Sequence, residues 1–194
     1  MAGAPLQELN LGIEAFFCAL RRDPVASRAA EVAIVAYASD AELVLDFQAL
    51  SRFETSPRIH EADGATNMAA GISLALQALE RAKAAYRKSG VDYHQPFLVL
   101  MSDGVPNVGD YQPGAARCRE LEAQRKLVVF PVGIGADADM ATLGRFSEKR
   151  PPMKLSGLDF TAFFAWLSQS VAQVSRSTPG QSVKLPNPNG WCQI

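Results

Sequence analysis

Two residues in separate segments carry chemistry that could act together. Thr66 lies in "DGATNMAAG" (63–71), and Asp103 ends the apolar run "FLVLMSD" (97–103). A hydroxyl and a carboxylate are hard oxygen donors of the kind a magnesium-like ion takes, keeping several waters and engaging only one or two carboxylates. Each residue also has a plainer use. A threonine ahead of a helix can accept an N–H as its cap, and Ser102-Asp103-Gly104 can simply make a turn. An unpaired carboxylate in mid-strand is costly to bury, whereas at a strand end it meets solvent or a cation. Gly64, two residues before Thr66, permits a backbone angle that other residues resist.

Catalytic alternatives are sparse. His60 and His94 are the two histidines, and neither has metal-ligand spacing. A metal-assisted hydrolase would use Asp103 as nucleophile or ligand and a histidine as base. His94, however, precedes the strand that Asp103 closes, placing the two at opposite ends, roughly 20–25 Å apart at about 3.3 Å per residue. His60, in the loop before "DGAT", could approach the site. No GxSxG, Walker-type glycine loop or HExxH is present. Of the acidic clusters "HEAD" (60–63) and "ADAD" (136–139), Asp139 reads as a helix cap and Asp137 as a solvated loop residue.

With 194 residues, 48% of them apolar, the chain can bury one sizeable core. Nineteen basic against 20 acidic residues argue against an electrostatic grip on nucleic acid or on an anionic membrane. No apolar run reaches the roughly 18 residues of a membrane span. The three cysteines, Cys18, Cys118 and Cys192, are scattered and form no CxxC pair. That suits a reducing compartment, so the expected location is cytoplasmic.

The elements that must position Thr66 and Asp103 follow from periodicity. Leu6, Leu9, Ile13, Phe16, Phe17 and Leu20 share one helical face, with Pro5 in the first turn and "RRDP" closing it. "EVAIVAYAS" (31–39) and "AELVLDFQAL" (41–50) read as an antiparallel pair around Ser39-Asp40. A helix over about 67–88 presents Met68, Ile72, Leu76, Leu79 and Tyr86, and "KSG" stops it. The spans 97–102 and "KLVVFPVGIG" read as strands covered on both faces. Helices near 114–125, 139–147 and 159–175, with a short segment at "MKLSG", complete an expected domain over 1–176. Residues 177–194 read as an extended Pro/Gly-rich tail, pinned by Trp191. The expected fold is α/β: a doubly wound, mainly parallel sheet with one antiparallel edge strand and helices on both faces.

"GAT" before a helix, "LVLMSDG" closing a strand and "VVFPVGIG" as the next strand resemble a von Willebrand factor A domain. Within that family the chain is similar to the bacterial intracellular YegL-like branch, which includes tellurium-resistance-associated members. The resemblance spans essentially the whole chain, including "TPGQSVKLP". It implies a non-enzymatic protein-binding module with a metal-ion-dependent adhesion site. Thr66 would supply the second-loop hydroxyl and Asp103 the third-loop carboxylate, with Gly64, Ser102, Gly104 and Asn107 around them. The cation would be Mg2+ or Mn2+, and a partner's Asp or Glu would fill its open position. The rim loop "GVPNVGDYQPG" (104–114) would shape that contact through Val105, Pro106, Asn107 and Tyr111.

The family's first loop, Asp-x-Ser-x-Ser after the most central strand, does not occur in this sequence; Met1 falls just beyond it. The implied site is therefore partial and its cation weakly held or absent, which leaves a degenerate, metal-free structural domain as an alternative. The central strand is missing too, between 31–37 and 97–102. Leaving those strands unpaired costs about 1–3 kcal/mol per buried polar group. Either the polypeptide begins one strand earlier, or the flanking strands close on each other, or another chain fills the gap and drives oligomerisation.

Overall fold

The computed structural model describes residues 3–52, 55–60, 64–155, 157–188 and 192–193, the last two as main chain. Helix α1 (Ala4–Arg22) starts with Pro5 in its first turn, ends on Arg21 and Arg22, and buries Leu9, Ile13, Phe16, Phe17 and Leu20. After a one-turn helix α2 (Ala26–Ala29), β1 (Glu31–Tyr37) and β2 (Ala41–Ala49) pair antiparallel, with register shifts around Ile34. A 3-10 turn (Leu50–Arg52) follows, and then the long helix α3 (Met68–Ser89), which stops at Gly90 in the left-handed region. Next come β3 (Phe97–Ser102), α4 (Gln112–Ala123), β4 (Val128–Gly133), α5 (Met140–Leu143), β5 (Met153–Leu155), α6 (Phe160–Ser175) and β6 (Cys192–Gln193).

The sheet is split. β1 and β2 form one ladder, and β3-β4-β5-β6 form another in that spatial order. β3, β4 and β5 run parallel, and the short β6 adds antiparallel at the edge. This is the expected doubly wound architecture with its central position vacant. The two flanking strands have not closed on each other. The effect shows in burial: every residue of β4 is buried, whereas β1, equally apolar, has none that is fully buried.

Each face carries its own core. On one face α1 and α6 pack side by side, with Phe16 against Phe164 and Gly12 so close to Phe160 and Phe164 that no Cβ would fit. Contacts advance together along both helices, from Gly12 at Phe160 to Asp23 at Arg176, so α1 runs parallel to α6. On the other face α3 and α4 bury Met68, Ile72, Leu79, Cys118 and Leu121 against β3 and β4.

Some polar residues lie deeper than their sequence context suggests. Lys83 of α3 is 3% exposed and donates to the Lys126 carbonyl and Glu80. Glu122 is 2% exposed; it accepts from the Val129 N–H, Arg150 and Ser147, locking α4 to β4 and the 147–150 turn. Pro131 sits inside β4, where Val128 and Ile134 donate to β3 and its preceding residue. Ladder alternation turns Pro131 toward β5, whose pairing begins only at Val132 with Met153.

Trp191, expected to pin the tail, lies outside the described residues. Trp166 donates to the Pro186 carbonyl and Gln173 to the Lys184 carbonyl, while Leu185 packs against the core. Among the described residues no helix is long and apolar enough to cross a membrane.

Candidate functional site

Tyr37 and Met101, near the carboxyl ends of β1 and β3, are joined by a hydrogen bond, so the two strands point the same way and finish at one rim. Thr66 and Asp103 follow from these two ends. The stretch after β1 holds the threonine loop: Ala65 N–H donates to Ser39 Oγ at 3.1 Å, and Asn67 N–H donates to the Ala38 carbonyl at 2.7 Å. Gly64 adopts φ +106°, and a Cβ there would lie 2.4 Å from Ser39 Oγ, so the approach demands glycine.

Thr66 is not the helix cap. Asn67 takes that place, its Oδ1 accepting the Ala70 N–H at 3.0 Å while its Nδ2 donates to the Ser39 carbonyl. A capping amide one residue later leaves the Thr66 hydroxyl without that duty.

The loop after β3 is tied to Thr66 from the other side. Thr66 N–H donates to Asn107 Oδ1 at 2.7 Å, and Asn107 N–H returns to the Thr66 carbonyl at 3.3 Å. Gly109, at φ +74°, lets the same loop lie against Asn67 and Ala69. Ser102 is buried and engages its own turn, its Oγ donating to the Gly104 carbonyl at 3.2 Å. Gly104 takes no positive φ, and its Cβ position is open. Thr66, Ser102 and Asp103 all border one cavity of about 810 Å³, the vacant central position of the sheet.

Tyr37 links these parts electrostatically. Its hydroxyl donates to the Met101 carbonyl at 2.8 Å. Burial pushes that hydroxyl up to about 12, with the Ser102 hydroxyl opposing and the Asp103 charge reinforcing the shift. Sequence reading did not single out Tyr37; its nearest trace there is Gly71, where a Cβ would stand 2.8 Å from the tyrosine ring.

Asn107 Oδ1 and Ser102 Oγ are engaged within the loops, so the oxygen donors that could hold a cation here are the Thr66 hydroxyl and the Asp103 carboxylate. Among the described residues no group of three or more His, Cys, Asp or Glu gathers as a metal cluster. Such a set fits a mostly hydrated magnesium-type ion, and fits poorly the nitrogen- and sulfur-rich sites of zinc. His60 and His94 border the same cavity, His94 at the amino end of β3 and so away from Asp103. Asp139 caps α5 through the Thr142 N–H, and its carboxyl is held below the usual range chiefly by the Thr142 hydroxyl. Residues 61–63 of "HEAD" lie outside the described residues. Val105 and Val108 project from the rim loop, 60% and 42% exposed.

The profile of the von Willebrand factor type A domain matches residues 7–161, and the chain belongs to that family. Two structures of proximal thread matrix protein 1 from the mussel byssus are similar in fold. One has a TM-score of 0.60 at 17% identity; the other, with a zinc-occupied MIDAS motif, has 0.62 at 16%. They cover 86% and 87% of this chain, and 43% of the mussel protein in each case. The ArnB paralog VWA2 from Sulfolobus acidocaldarius gives 0.52 at 14% identity, covering 84% of this chain and 40% of that one. The chain therefore spans less than half the length of these solved structures. No curated protein matches it.

Proposed function

We propose that this chain is a non-enzymatic protein-binding module whose rim uses a divalent cation to engage an acidic residue of a partner. Thr66 and Asp103 would hold the ion, Mg2+ or Mn2+, with water completing its shell and one position left for the partner's carboxylate. Gly64 and Asn107 set the loops, and Ser102 and Gly104 shape the turn that presents Asp103. The observation that carries this reading is the reciprocal Thr66–Asn107 pairing, which fastens the hydroxyl loop to the carboxylate loop at one sheet edge. The zinc-occupied MIDAS of the mussel protein supports a cation at this place in the fold. Exposed Val105 and Val108 beside the rim offer apolar contact to the same partner.

The YegL-like, tellurium-resistance-associated branch rests on the motif resemblance and the tail. Cytoplasmic location rests on the scattered cysteines. The division into a 1–176 domain and a 177–194 tail follows the end of α6 at Ser175.

The test is titration of the chain with MgCl2 and MnCl2, read by calorimetry and thermal shift. Saturable binding that falls at least tenfold in Asp103→Ala and in Thr66→Val is expected. Metal affinity unchanged in both variants, or none in the parent, sinks the reading and leaves a structural, metal-free domain. Esterase or phosphatase turnover abolished by Asp103→Ala would instead favour the hydrolase.

A further inference from the structure

A second cleft lies along α1. At 3.6 residues per turn, Asn10, Glu14 and Arg21 fall within about 40° of one another around that helix. The loop at 55–59 crosses this stripe and is fastened to it at two points. Asn10 accepts the Ile59 N–H at 2.8 Å and donates to the Ile59 carbonyl at 2.9 Å, while Arg21 donates to Ser56 Oγ at 3.3 Å. Asn10 and Arg21 stand about 16 Å apart along the axis at 1.5 Å per residue. Three residues of loop span at most about 10 Å. The Arg21 side chain closes the difference by reaching back toward the helix N-terminus, the direction in which helical side chains lean. Between the two fastenings a cleft of about 330 Å³ stays open, bordered by Glu14 on the helix and by Thr55, Pro57 and Arg58 on the loop.

The lining carries both signs of charge. Among the described residues Glu14 and Arg58 have neither an ion-pair nor a hydrogen-bond partner, and they do not meet each other across the cleft they share. Arg21 brings a second guanidinium, already directed at Ser56. A simple anion here would face the Glu14 carboxylate, and a simple cation would face two guanidinium groups. A molecule with both charges meets each wall with its opposite.

We propose that this cleft binds a small zwitterion of the α-amino acid type, its carboxylate held by Arg58 and Arg21 and its ammonium by Glu14. A guanidinium fork grips a carboxylate through paired N–H bonds, which gives direction as well as strength. The Ser56 and Thr55 hydroxyls stand beside it as further partners, and the Pro57 ring offers apolar contact to a short side chain. The volume of about 330 Å³ lies at the small end of ligand pockets, which suits a molecule of amino-acid size. This inference stands apart from cation binding at the rim.

Calorimetry on the full chain compares probes built on one short carbon chain. L-norvaline carries both charges, valerate the carboxylate alone and butylamine the ammonium alone. The expected result is saturable one-to-one binding of norvaline, tighter than either singly charged probe by about tenfold or more. Glu14→Gln and Arg58→Gln alter exposed side chains, and thermal melting checks that both variants stay folded. Each should weaken norvaline by about fivefold or more. Glu14→Gln should also close the gap between norvaline and valerate. No norvaline binding, or binding equal to that of valerate, overturns the proposal. So does norvaline affinity unchanged in either variant. Sodium phosphate binding more tightly than norvaline overturns it too, in favour of a plain anion site.

Discussion

Tyr37 donates its hydroxyl to the Met101 carbonyl at 2.8 Å across a seam where β1 and β3 share no ladder. That side-chain bond ties the two ladders together near their carboxyl ends. Removing the hydroxyl in Tyr37→Phe should lower stability by about 1 kcal/mol, the usual worth of one such bond. Urea unfolding measures it, with the midpoint falling and the slope unchanged.

Asn107 holds Thr66 through its side chain and its N–H together. Asn107→Ala should weaken Mn2+ binding several-fold by loosening the threonine loop, although Asn107 Oδ1 is not itself a ligand. Asn107→Asp keeps an acceptor for the Thr66 N–H and should restore most of the affinity. Calorimetry on both variants checks the pair, and equal loss in the two would show that the acceptor for the Thr66 N–H does not set the site.

Gly64→Ala places a Cβ 2.4 Å from Ser39 Oγ at a φ of +106°. A strained backbone of this kind costs on the order of 1–3 kcal/mol. The expected outcome is a lower melting temperature, with metal affinity lost in parallel because the loop no longer seats. Gly104→Ala, at an open position without positive φ, should leave stability within about 0.5 kcal/mol of the parent.

Alkali should unfold the protein early. Burial, reinforced by the Glu122 charge, raises the Cys118 thiol to about 12 from an ordinary value of 9.0, and Tyr37 rises to about 12 from 10.0. Tyr86 is also raised, by burial and its bond to Glu31. Folded values above unfolded ones mean that the native state keeps protons the unfolded chain has released. The stabilisation is full below pH 9 and lost as pH climbs from 9 toward 12. Urea midpoints from about pH 8 to 11 should fall continuously, and Cys118→Ala should flatten the part between about 9 and 10.

Glu122→Ala removes the acceptor shared by Val129 N–H, Arg150 and Ser147. The loss should be about 3 kcal/mol, within the range for breaking one partner of a buried ion pair. Arg150 is partly exposed and regains water, which keeps the figure at the lower end. Thermal denaturation reads it directly.

Much of this architecture was legible in the residues. Pro5 and the face from Leu9 to Leu20 mark α1, and Ser39-Asp40 marks the tight β1–β2 link. Apolar "FLVLMS" and "VVFPVG" became parallel neighbours in register from Phe97–Val128 to Ser102–Gly133. Local pattern failed where partners come from afar. Asn67 outcompetes Thr66 as cap because it also reaches Ser39, which only the folded chain brings near. Lys83 and Glu122 look like solvated charges until Lys126 and Arg150 arrive from distant segments. Trp166 holds the tail through the Pro186 carbonyl, a contact that no local periodicity reports. Thr66 and Asp103 stood out as two residue types in two loops, and the structure sets both beside one cavity. Tyr37, which borders the same cavity, was hidden because an aromatic at a strand end reads as ordinary packing.

Pro131 silences the margin of the sheet that faces β5, and the two-residue β6 leaves little there for a neighbour to copy. A strand arriving at that flank finds few main-chain groups left to pair with.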